Sequence, residues 1–263
     1  MPILDDVQEE ALRIIDQAQQ WGILLRLIGG LAIKLHSPSA SHRALERQYP
    51  DMDFVASKHG RDKLPAFLTS LGYEPNKTFN TLSGDRRQLY YDHQRDRQID
   101  IFIENFEMCH KFPLGERLDV EPITIPLAEL FLTKAQIVEM NEKDIRDICA
   151  LVLDHEVGPG DEEMINSARI AALCARDWGL WKTVSLSISK VRGFLDRFSL
   201  EPSEAERIAS RLEAGPWTRR PRAWPGGCET GSAPACAGTS FPKKCNGRSK
   251  SANLQSAIEG GDA

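Results

Sequence analysis

The spacing of apolar residues changes once along the chain, near Pro126, and that change limits the fold more than any other feature. Before it, short alternating or wholly apolar runs are interleaved with helical stretches. A helix is expected over 4–20, with Leu4, Val7, Ala11, Ile14, Ile15 and Ala18 on one face and Trp21-Gly22 as its end. ILLRLI at 23–28 reads as a buried strand that Gly29-Gly30 breaks, and LAIKLH at 31–36 reads as a helix opening directly after that turn. A strand follows at MDFVAS, then a helix over 60–72 and a strand near 77–82. Two more strands at 86–94 and 97–105 form a hairpin across Arg95-Asp96, and a last one lies near 119–125. After Pro126 only helical periods occur, over 127–141, 143–155, 161–178, 181–199 and 203–214. The expected architecture is therefore α+β: a mixed sheet with flanking helices over 1–126, followed by a helical bundle over 127–214.

Composition divides the chain again at residue 214. The last 49 residues hold eight Gly, five Pro and five Ser, with Trp217 and Trp224 set among prolines and arginines. Such a stretch offers no periodic face to bury, so 215–263 is expected to be a disordered, low-complexity tail. Gly, Ala, Pro and Arg share GC-rich codons, and the tail reads as a GC-rich gene translated out of frame. The other two reading frames test this: neither continuing the helical pattern past 214 would leave a genuine linker or partner-binding arm.

The net charge of -5 excludes some functions. Seven Lys/Arg against three Asp/Glu fall in the tail, so the body is more acidic than the total and is not a broad nucleic-acid surface. No apolar run approaches the roughly 20 residues that span a bilayer, and the acidic start MPILDDVQEE does not read as a secretory signal. A cytoplasmic protein without membrane contact is expected. Cys109, Cys149 and Cys174 in the body form no C-x-x-C pair and read as reduced thiols. The six histidines make no H-E-x-x-H or Cys/His cluster, and no G-x-S-x-G elbow is present.

Three short patterns carry chemistry. Asp51-Met52-Asp53-Phe54 on a strand projects both carboxylates to one face while Met52 and Phe54 anchor the other. In RQIDIFI, Ile99, Ile101 and Ile103 share one face and Asp100 sits opposite, with Glu104 next on the same side as Asp100. Either pattern alone also describes an edge strand with a wet side. Gly29-Gly30 between a strand and a helix start lets backbone come close to a phosphate, although a plain strand-to-helix turn has the same form.

In this order the elements resemble the nucleotidyltransferase superfamily with the DNA polymerase β-like fold, closest to the AbiEii/AbiGii-type and minimal bacterial nucleotidyltransferases. Leu132-Thr133-Lys134-Ala135 and then Lys143-Asp144-Ile145-Arg146-Asp147 are similar to the lysine and basic-Asp-x-x-Asp helices of that group, so the resemblance covers about 22–155. It implies transfer of an NMP group from a nucleoside triphosphate to a hydroxyl acceptor: an RNA, a protein or a small molecule. Gly29 and Gly30 would hold phosphates, and Asp51 and Asp53 would bind two Mg²⁺ (or Mn²⁺) ions. Asp100 would complete one metal site and help to deprotonate the acceptor, and Lys134 would neutralise the triphosphate. The alternative is a non-catalytic binding protein of the same fold, such as one half of a toxin–antitoxin pair with its antitoxin partner.

Two departures stand out. Twenty residues separate Gly30 from Asp51 where about a dozen are common, and the extra loop holds His42, Arg43 and Arg47, which read more as exposed charge than as a phosphate clamp. Gly30 also stands where many relatives carry serine. A strip of Arg86, Arg87, Arg95 and Arg97 with Tyr90 and Tyr91 is a further candidate for an acceptor strand, though such hairpins are more often merely polar.

Overall fold

The computed structural model describes residues 3–218. Helix α1 (Val7–Gln20) starts where the Asp6 carboxylate accepts from the backbone N–H groups of Gln8 and Glu9, and it buries Ala11, Ile14, Ile15 and Ala18 as its period requires. Strand β1 (Leu25–Ile28) runs straight into α2 (Gly29–His36), and β2 (Met52–Ala56) follows the long loop. The helix expected over 60–72 is a 3₁₀ turn at Lys58–Lys63 continued by α3 (Leu64–Ser70). Strand β3 (Glu74–Pro75) is short, because the chain then enters α4 (Lys77–Ser83) in place of the strand expected near 77–82. The reason is a cap: Asn76 Oδ1 accepts from Phe79 N at 3.0 Å and opens a helical turn that apolar alternation did not announce.

β4 (Arg87–Asp92) and β5 (Arg97–Ile103) make the expected hairpin, with Asp96 in the left-handed region at its corner. Together β1 to β5 form one mixed sheet of order β1-β2-β5-β4-β3, in which β2 and β5 are parallel and the other neighbours antiparallel. A small antiparallel pair follows, β6 (Asn105–Glu107) with β7 (Lys111–Pro113). The strand expected near 119–125 is reduced to a parallel bridge of Thr124 to Leu27 at the β1 edge.

Next come α5 (Leu127–Ala135) and α6 (Glu142–Asp154), the latter opened by a capping box between Asn141 and Asp144. The segment expected to be helical only then contains a parallel pair, β8 (Glu156–Gly158) and β9 (Met164–Asn166), and α7 (Ser167–Arg176) starts later than its period suggests because Asn166 caps it. Helices α8 (Trp178–Arg192) and α9 (Pro202–Ala214) complete the order. One apolar cluster joins Ile14, Phe54 and Ile101 to Leu130, Ile148, Leu151 and Val184, so the sheet and the helical segment share a core rather than owning one each. The three body cysteines are free and buried as expected, and burial pushes the Cys149 and Cys174 thiols up to about 12. None of the described helices is long and apolar enough to cross a membrane.

Just past the boundary expected after Ala214, Trp217 packs back onto the helices. Its ring is 1% exposed and stacks on Phe131 with centroids 4.6 Å apart, its Nε1 donates to Leu212 O, and Ser185 Oγ donates to its carbonyl. A single aromatic docking behind a helix end has no period to reveal it. The rest of the expected tail, with Trp224, Cys228, Cys236 and Cys245, lies outside the described residues.

Candidate active site

The parallel pairing of β2 with β5 sets Asp53 directly beside Asp100, and the antiparallel pairing of β1 sets Ile28, the last residue before the glycines, on the other side of Asp53. Alternation then buries Met52, Phe54, Ile99, Ile101 and Ile103 on the opposite face. Gly29 has φ +71°, and a Cβ there would stand 2.5 Å from Asp53 Oδ2. Glycine is thus required twice, by the backbone angle and by the carboxylate against it. The turn opens α2, so the amino end of that helix lies beside the Asp53 carboxylate.

Asp100 is 4% exposed and does not stand alone. Arg87, which projects from β4 on the same face, donates Nε to Oδ1 at 2.7 Å and Nη2 to Oδ2, so the guanidinium fork takes both oxygens. The Arg87 guanidinium also lies 4.8 Å from the Phe102 ring centroid. Glu104 lies four residues beyond Asp100, past the end of β5 and in the left-handed region, so strand alternation does not extend to it, and its carboxylate accepts from Lys58 N. That is roughly 13 Å from the Asp53–Asp100 pair at the ordinary strand rise, too far to share its work.

Lys134 on α5 faces the site from the helical side, near enough for its charge to oppose the rise in the Asp53 pKa. Its Nζ lies 2.9 Å from Asp147 Oδ2 and 3.3 Å from Asp144 Oδ1, both on α6. Burial works to lower the Lys134 pKa, yet Asp147 and Asp144 outweigh it and raise the value. Asp147 also accepts two 2.7 Å bonds from Arg47, whose guanidinium stacks 3.9 Å from the Tyr49 ring centroid. Burial alone would raise the Asp147 pKa, and Lys134 and Arg47 bring it below the usual carboxylate range.

Arg47 corrects the reading of the extra loop as exposed charge. His42 and Arg43 are exposed, but the Arg47 side chain is only 11% exposed and ties the loop to α6. A Cβ on Gly30 would come 1.7 Å from Arg47 Nη2, so a serine at this position would require the Arg47–Asp147 fork to shift. Sequence analysis named Arg47 only as a loop charge and Arg87 only within a polar strip, without bringing either to the carboxylates, and did not single out Tyr49. The one signal for Arg87 was its even offset from Leu89, the residue paired with Asp100.

The arginine strip does not form one surface. Arg97 is buried and donates to Leu4 O and Asp5 O, Arg95 pairs with Asp5 and Asp92, Tyr90 is fully buried, and Arg87 turns to Asp100. Arg86 alone of the four arginines is left well exposed.

The donor set suits a hard divalent ion. Asp53 has its pKa raised to about 7, first by burial, then by Asp100 and Asp51, with Lys134 and Arg87 opposing. Asp100 is raised by burial and Asp51 against the pull of Arg87. Carboxylates that hinder each other's ionisation in this way are matched to a cation with oxygen ligands. At Asp100 both oxygens are already taken by Arg87. Among the described residues, no three His, Cys, Asp or Glu side chains form a ready metal cluster.

The raised pKa fixes a pH dependence. Between about pH 4 and pH 7 the folded, metal-free protein holds a proton on Asp53 that the unfolded chain has lost, so this group's contribution to stability declines as pH rises through that window. Linkage across that window is worth at most about 1.4 kcal/mol per pH unit, and partial exposure of the Asp53 side chain reduces it, so a shift of several °C is expected. Asp53→Asn is therefore expected to raise the melting temperature at pH 8 without metal and to leave it nearly unchanged at pH 5. Equal shifts at both pH values would show that Asp53 does not carry the strain.

No protein family and no curated protein matches the chain. Solved structures do match, among them that of the antibiotic-resistance factor ANT(2'')-Ia, with TM-score 0.40 and 17% identity over 65% of this chain and 96% of that one. A likeness at that level places no substrate or ligand on the present chain.

Proposed function

We propose that the chain is a metal-dependent nucleotidyltransferase, moving an NMP group from a nucleoside triphosphate to a hydroxyl acceptor. The observation that carries this reading is the glycine turn of positive φ pressed against Asp53, with Asp100 in register beside it. Backbone N–H groups at the start of α2 and the absent Cβ of Gly29 offer a triphosphate a close seat next to the carboxylates. A divalent ion held by Asp51 and Asp53 would supply charge stabilisation at the phosphoryl oxygens. Lys134, kept protonated by Asp144 and Asp147, adds a point charge from the α5 side. The acceptor oxygen bonds to the α-phosphorus, the bond from that phosphorus to the pyrophosphate oxygen breaks, and a carboxylate, for which Asp100 is best placed, takes the acceptor proton.

A second reading has an observation of its own. With both Asp100 oxygens on Arg87, the site also suits a protein that binds a nucleotide without turning it over. Incubation of the full chain with each of four α-labelled triphosphates, Mg²⁺ or Mn²⁺, and cell extract tests the two. The transferase reading expects label on an acceptor with one or more triphosphates. Retention of nucleotide with no labelled product under any of the four would favour the binding protein.

A further inference from the structure

Resting on that reading, we propose that Arg87 is a built-in cation that stands where a second metal ion would otherwise sit on Asp100, so that this site takes one divalent ion rather than two. Three features converge. Arg87 meets Asp100 as a fork, Nε on one oxygen and Nη2 on the other, the geometry by which a guanidinium replaces a bidentate ligand partner. Its position is fixed by the sheet, since β4 pairs with β5 so that Arg87 faces Phe102 and Leu89 faces Asp100, all on the side of Asp53. The guanidinium also lies on the Phe102 ring, which holds it over the carboxylate from below.

Burial points the same way. A second divalent ion would have to displace a fork-and-ring contact from a carboxylate that is 4% exposed, and would leave the guanidinium, two-thirds buried, without its partner. Arg87 therefore acts as a positioning residue: its fork fixes both Asp100 oxygens while the ion stays with Asp51 and Asp53.

The test is a count of bound Mn²⁺ per full-length chain, by electron paramagnetic resonance of the free ion, in the presence of a triphosphate analogue with an unbreakable α,β bond. Wild type is expected to bind one, Arg87→Lys one, and Arg87→Gln two, the second with the weaker affinity. Asp100→Asn, which releases Arg87, should keep the count at one with an affinity within about threefold of wild type. Two ions on wild type, or one on a folded Arg87→Gln protein as judged by circular dichroism, overturns the inference while leaving the transferase reading intact. Absence of Mn²⁺ from wild type overturns both. Should Arg87→Gln not fold, the Asp100→Asn affinity decides, because a tenfold or greater loss there would make Asp100 a metal ligand.

Discussion

Replacing Asp51 and Asp53 together by alanine is expected to abolish both nucleotide binding and transfer, with transfer reduced by about a thousandfold or more. These two carboxylates are the proposed ion ligands, so without them a triphosphate meets Gly29 and Lys134 but no ion to offset its charge. Asp100→Ala is expected to behave differently. It removes the acceptor-side carboxylate and frees Arg87, while Asp51, Asp53 and the glycine turn remain. Metal-dependent nucleotide binding should therefore survive in measurable part as transfer falls below detection. Titration of a labelled triphosphate in the presence of Mg²⁺, beside a transfer assay, reads both quantities. Transfer that persists in the Asp100→Ala protein would show that another group takes the acceptor proton, and Glu104 is poorly placed for it because it is tied to Lys58 N beyond the strand end.

The second large effect concerns stability. A chain ending at Ala214 is expected to melt about 10 °C below one ending at Thr218, and Trp217→Ala in the full chain should reproduce most of that loss. Removing a buried tryptophan costs about 3–5 kcal/mol, and each kcal/mol is worth roughly 2–4 °C in a chain of this size. Trp217 has the contacts to justify the upper half of that range, since it stacks on Phe131 of α5, donates to Leu212 O and accepts from Ser185 on α8. Three helices lose a common neighbour at once. Equal melting temperatures for the two truncated chains would place the end of the folded part at Ala214 after all.

Much of the fold was legible because burial repeats. The apolar face of α1, the β4–β5 hairpin and the opposition of Ile99, Ile101 and Ile103 to Asp100 all follow from periods of 3.6 or 2, and the chain obeys them. The short range of Gly29-Gly30 and Asp51 to Asp53 let the sequence announce a strand-turn-helix beside a carboxylate pair, and the structure puts Gly29 against Asp53. What failed were features set by single polar contacts. Asn76 turned an expected strand into α4, and Asn166 delayed α7.

Tertiary structure alone decided which charges meet. Arg47 and Asp147 are 100 residues apart and share a buried fork, and Arg87 reaches Asp100 only because two strands pair in one register out of several. Local spacing could show that the chain has acids on one face and arginines nearby. It could not show that one arginine seals a long loop over Gly30, that another covers the third carboxylate, or that Trp217 closes the core, because each depends on segments brought together only when the whole sheet and its helices fold.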